Sequence, residues 1–232
     1  MSVTIIVLGM HRSGTSALMG LLESTGIYIG PTNPAVREPG SLVSIDNEIL
    51  EISGGAWDAP PGAPLSWNDR QEKRARRFLR SFDGQVSWGM KDPRLLLTLD
   101  FWYPRLLPEA RLLATFRNPV AVAASLNRRN PKRWTISAGL ELYTEYNRRL
   151  LRHSDAHGFP IINFDLEANA YLASVELAFR AIGYRPAREQ DYFDPAERHH
   201  TQVDLSRADT ESREVYEELC RRAIKPPETD RT

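Results

Sequence analysis

Three short polar clusters hold the residues best suited to chemistry: His11-Arg12-Ser13-Gly14-Thr15-Ser16, Lys91-Asp92-Pro93-Arg94 and Arg117-Asn118-Pro119. Each supplies fixed positive charge, and each follows a short apolar run. In the first, Gly9 and Gly14 have the spacing of a Walker A loop. A loop of this kind, between a strand and a helix, aims backbone N–H groups and the positive helix end at an anion. Thr15 stands where a nucleotide triphosphatase carries its lysine. The loop is therefore suited to phosphate but not to ordinary ATP or GTP chemistry.

The elements that must position these clusters are legible from hydrophobic period. Residues 3–8, 86–90, 111–116 and 160–164 read as buried strands, and 27–30 as a brief strand or extended turn. Helices are expected over 17–23, 42–52, 68–82, 95–102, 136–153 and 169–182, with one opened by Pro119 at its first position. Asn68 or Asp69 caps the third of these, and Gly183 stops the last. Residues 31–41 and 53–67, rich in proline and glycine, read as loops. Strands alternating with helices predict an α/β fold of three layers, P-loop-type, with a parallel sheet of four to five strands covered on both faces. Residues 1–185 form the expected domain. Residues 186–232 read as a polar tail, partly helical or lid-like, ending in a disordered KPPETDRT.

In such a sheet ligands sit at the carboxyl ends of the strands. Arg12, Lys91 and Arg117 would then meet around one crevice, which points to a ligand with several negative charges. The competing reading pairs each cation with a local carboxylate such as Asp92. Ser125 lies seven residues after Asn118, about two helical turns, and so returns to the side of its helix that faces Arg117. Read alone, it is a small packing residue.

Composition narrows the field. Thirty basic and thirty acidic side chains cancel, so no global field draws nucleic acid or a membrane, and any basic site must be local. A run of arginines and lysines over residues 73–80 reads as a solvated helix face or, alternatively, a partner surface. With Cys220 as the only cysteine there is no internal disulfide and no cysteine metal cluster. No apolar run approaches the roughly 20 residues of a membrane span, and the early first strand leaves no room for a signal peptide. A cytoplasmic setting is expected.

Together, GMHRSGTSAL and FRNPVAVAASL resemble the sulfotransferases that use 3′-phosphoadenylyl sulfate. WGMKDPR and INFDLEANA are similar to segments of the bacterial carbohydrate-type and tyrosylprotein-type members. The likeness covers roughly residues 3–183. It implies that His11, Arg12, Ser13, Gly14, Thr15 and Ser16 hold the 5′-phosphosulfate, and that Arg117 and Ser125, eight apart, hold the 3′-phosphate. It further implies that Arg12 and Lys91 stabilise the transition state, that Glu38 is the general base, and that no metal takes part. Asp46 and Glu48 are runners-up for the base, since Val36-Arg37 replaces the aromatic pair that often precedes that glutamate. His11 also reads as a residue that shapes the loop. The acceptor is expected to be a small molecule, carbohydrate or other metabolite. Trp57 either stacks on it or packs beneath its own loop; Trp88 and Trp134 read as core. His199 and His200 belong to a segment that either folds over the site or is solvated tail. A small-molecule kinase and a nucleotide-binding protein without catalysis are the alternative functions.

Overall fold

The computed structural model describes residues 3–62, 64–106, 110–186 and 204–226. His199, His200 and the last six residues lie outside that set. The sheet has four parallel strands in the order β4-β1-β5-β6, formed by β1 (Val3–Leu8), β4 (Ser87–Lys91), β5 (Ala110–Phe116) and β6 (Ile161–Asn163). Helical layers cover both faces, as the alternating pattern predicts. Along β1, Ile5 and Val7 enter one core while Ile6 and Leu8 enter the other. That two-sided burial is why the strand reads as a continuous apolar run rather than an alternating one.

One face carries α1 (Thr15–Ser24) and α7 (Ala168–Ala181). The other carries α2 (Gly40–Ile52), α3 (Asp69–Arg80), α4 (Leu95–Leu106), α5 (Pro119–Arg129), α6 (Ile136–His157) and α8 (Thr210–Arg222). A two-strand hairpin, β2 (Thr32–Asn33) with β3 (Glu38–Pro39), organises the first expected loop. The 27–30 segment is an extended turn that touches the sheet through one parallel bridge, Tyr28 to Trp88.

Local chemistry sets the helix ends. Asn68 and Gln71 form a capping box at α3, and the Asn118 side chain accepts from the Val120 and Ala121 N–H groups where Pro119 opens α5. α4 runs four residues past its expected end, carrying Pro104 inside it. α8 is no loose appendage: Leu219 is fully buried in the main core, and the Ile224 N–H donates to the Ile161 carbonyl 2.9 Å away. Among the described residues no helix is long and apolar enough to cross a membrane.

The chain leaves β1 toward β4 and leaves β5 toward β6, on opposite sides. The carboxyl ends of β1 and β5 therefore flank the point where the connections diverge, the usual ligand crevice of an open parallel sheet. Gly9 follows β1 there, and Arg117 follows β5.

Candidate functional site

The glycine-framed loop is held by close packing rather than by side-chain caps. Gly14 is the N-cap of α1 in a left-handed conformation, φ 86°, with no side chain capping the helix. A methyl group at Gly14 would fall 2.2 Å from the Phe164 ring, so only glycine fits. Ser13 is fully buried, its carbonyl accepting from Thr115 Oγ1 at 3.2 Å. Thr15 is buried too, under Gly9. These contacts leave the positive end of α1 bare of any capping side chain, a geometry that favours an anion.

Arg12 adopts a left-handed backbone, φ 69°, and its Nε donates to Ser125 Oγ at 2.8 Å. The loop is thereby tied directly to α5. Arg117, at the end of β5, lies close enough for its charge to act on Arg12, together with Arg128 and Arg129 from the last turn of α5. Desolvation first, and then these like charges, depress the pKa of Arg12. Arg117 is itself largely buried. Its Nε donates to Asp165 Oδ1 at 3.3 Å, and its guanidinium lies 5.6 Å from the Phe164 ring centre. Ser125 thus accepts from Arg12, whereas the sequence spacing pointed it at Arg117. The two arginines are nonetheless near enough for the charge of Arg117 to act on Arg12.

The second half of the site centres on Lys91, almost completely buried at the end of β4. Its Nζ donates to Glu38 Oε1 at 2.9 Å, to Ser16 Oγ at 3.2 Å and to the Val36 carbonyl. Burial lowers the pKa of Lys91, opposed by the Glu38 carboxylate. Arg37 pins this segment to α1 through Glu23 at 3.2 Å. Glu38, Lys91 and Ser16 therefore form one cluster against the glycine loop. The local-carboxylate pairing weighed from sequence holds at two cations, Lys91 with Glu38 and Arg117 with Asp165. Asp92 pairs instead with Arg94, at 3.0 Å.

The runner-up bases are placed elsewhere. Asp46 is fully buried, accepting from Thr98 Oγ1 at 2.9 Å and Trp102 Nε1 at 2.6 Å, and burial next to Asp92 raises its pKa well above the carboxylate range. Glu48 pairs with Arg70 and Arg74 and joins α2 to α3. His11 is half-buried as a residue, but its Nε2 is sealed from solvent and has no hydrogen-bond partner. Its ring centre lies 4.5 Å from Trp57 and 6.0 Å from Tyr146. Burial, and then the charges of Arg94, Lys91, Arg129 and Arg12, hold its pKa well below the usual value. It stays neutral and lines the back of the loop. Trp57 packs against the main core between His11 and Trp134, its carbonyl accepting from Tyr146 Oη at 2.6 Å. Trp134 is buried, and Trp88 stacks 4.1 Å from Phe82.

Sequence reasoning passed over Asp165, Arg128 and Arg129. Asp165 carries a usable signal, a carboxylate two residues beyond a strand end, where the ligand rule places chemistry. Its Oδ2 also accepts from the Asn118 N–H, so it orients both Arg117 and the start of α5. Arg128 and Arg129 lie three and four residues after Ser125, hence on its side of the helix. Among the described residues no three His, Cys, Asp or Glu side chains converge as a metal site. Compared with known proteins, the chain matches no protein-family model and no curated protein.

Proposed function

We propose that the protein transfers a sulfuryl group from 3′-phosphoadenylyl sulfate to an acceptor hydroxyl or amine. One observation carries the proposal: Arg12 bridges the glycine loop to Ser125 on α5, at 2.8 Å, within the charge neighbourhood of Arg117. One crevice then offers a bare helix end for a 5′-phosphosulfate and guanidinium groups for a 3′-phosphate.

In the reaction the acceptor oxygen forms a bond to sulfur as the bond from sulfur to the bridging phosphate oxygen breaks. The bonding pair departs with adenosine 3′,5′-bisphosphate, and Glu38 takes the acceptor proton. Negative charge grows on the leaving oxygen, so Arg12 and Lys91 stabilise the transition state more than the ground state. Arg117 and Ser125 bind the donor. A kinase is less well supported, because Thr15, at the lysine position of such enzymes, is buried under Gly9 and carries no charge.

Calorimetric titration of the protein with adenosine 3′,5′-bisphosphate at low salt tests the reading. Saturable binding is expected. Absence of binding would overturn it.

A further inference from the structure

The basic run left unassigned by this chemistry forms a defined face. On α3, Gln71, Ala75 and Phe78 are buried, and Phe82 continues their stripe. Lys73, Arg76, Arg77 and Arg80 are exposed and, at 3.6 residues per turn, fall on the opposite side of the helix. Of these, Arg76 reaches Glu72 only at 4.0 Å, and Glu72 is already held by Arg105. Lys73, Arg77 and Arg80 have no ion pair among the described residues. Arg77 and Arg80 gain from the negative end of the helix, but Lys73 and Arg76 lie outside the last turn.

The apolar surface follows the same helix. Among the described residues the large exposed hydrophobic ones are Tyr28, Ile52, Trp67 and Val86, from 38% to 72% accessible. Trp67 directly precedes the α3 cap. Ile52 ends α2, which runs antiparallel beside α3, as the Glu48–Arg70 and Ser44–Arg74 contacts show. Val86 follows the far end of α3. Tyr28 stands there too, its ring 6.0 Å from Phe82. A cleft of about 290 Å³ opens between the two helices, lined by Ser41, Ile45, Arg74, Arg77, Phe78 and Ser81.

We infer that this face of α3 docks on an anionic phospholipid surface. Cations in a row suit a sheet of phosphate headgroups, and exposed apolar side chains at both ends suit the boundary with the acyl chains. The cleft, with arginines on its wall and an apolar floor, accommodates one headgroup. A soluble polyanion would match the cations but leave the exposed Val86 and Ile52 without a role, whereas Trp67 and Tyr28 already pack on Phe101 and Phe82. The chain as a whole is neutral, so adsorption is local and oriented rather than a bulk charge effect.

Sedimentation of the full chain with phosphatidylcholine vesicles, alone or mixed with phosphatidylserine, provides the test. Phosphatidylserine is expected to raise binding about a hundredfold or more, since each cation near the surface adds favourably. The triple variant Lys73→Glu/Arg77→Glu/Arg80→Glu should lose that gain while keeping its circular dichroism. Val86→Ser with Ile52→Ser should weaken vesicle binding about tenfold with the cations intact. Equal binding to both vesicles overturns the inference. So does binding to heparin fragments that the triple variant loses, in a protein that ignores vesicles. All five positions lie outside the phosphate cradle, so nucleotide binding should persist in every variant.

Discussion

The two halves of the site are built on opposite electrostatic terms. In the crevice between β1 and β5, Arg12, Arg117, Arg128 and Arg129 share one neighbourhood, and the carboxylate paired there is Asp165. At the end of β4, Lys91 and Arg94 face Glu38, Asp92 and the nearby Asp46. In the first group Arg12, Arg128 and Arg129 are exposed, where water screens repulsion between like charges, and only Arg117 is buried, against Asp165. The second is buried, where an unpaired charge is costly and each ion must come with its partner. A crowded, solvent-facing set of cations gains most from an arriving polyanion. A sealed set of matched pairs is already arranged before any ligand binds. On the proposed function, the contrast corresponds to donor capture on one side and proton handling on the other.

The sharpest way to break that division is Arg12→Ala. Turnover, followed as release of adenosine 3′,5′-bisphosphate, should fall about a hundred- to a thousandfold, the usual cost of removing a group that meets developing charge. Unchanged turnover would remove Arg12 from the chemistry. Glu38→Gln should lower turnover by about a hundredfold with donor affinity kept, as for loss of a general base. Full activity in that variant would move the base elsewhere. Arg117→Ala should raise the donor KM about ten- to a hundredfold and leave kcat nearly constant, because its contact is made in the ground state as much as in the transition state. A fall in kcat alone would place Arg117 on the chemical side.

Two stability measurements sharpen the comparison further. Asp46 holds a raised pKa, so the native state keeps a proton that the unfolded chain releases above about pH 3.8. Stability is therefore lost as pH rises through the window above that value. Asp46→Asn removes the loss, so its Tm should exceed that of the parent by a few degrees at pH 8 and converge with it in acid. A lower Tm at pH 8 would show that Asp46 is ionised and paired. For His11 the sign reverses. Its pKa is depressed, so the unfolded chain binds the extra proton below about pH 6.5 and stability falls as pH drops. His11→Gln should flatten that acid slope, by at most ~1.4 kcal/mol per pH unit. An unchanged slope would locate the acid sensitivity in other groups.

What could be read from the sequence was what local pattern determines. The sheet strands are two-sided apolar runs, and the helix starts at Asn68 and Pro119 are short-range capping signals, so each lay close to its expected place. The strand-end rule singled out Lys91, and the motif resemblance singled out Ser16 and Glu38, each for a separate role; their meeting in one cluster is a contact the sequence does not show. What stayed hidden depends on contacts distant in sequence. Arg12 reaches Ser125 across 113 positions, and Asp165 holds Arg117 across 48. Local pattern can mark Ser125 by its helical spacing and Asp165 by its strand-end position, but not which arginine each one meets. The placement of α8 was hidden for a related reason: its buried stripe, with Ser212, Val215 and Leu219, is narrow within a polar segment. Only its packing on α6 and β6 reveals that it closes the core.

A crystal of the protein soaked with adenosine 3′,5′-bisphosphate would test the central claim most directly. One nucleotide should span the crevice, its 5′-phosphate on the loop between Gly9 and Gly14 and its 3′-phosphate beside Arg117 and Ser125. A nucleotide bound elsewhere, or Arg12 and Arg117 opening onto separate cavities, would contradict it.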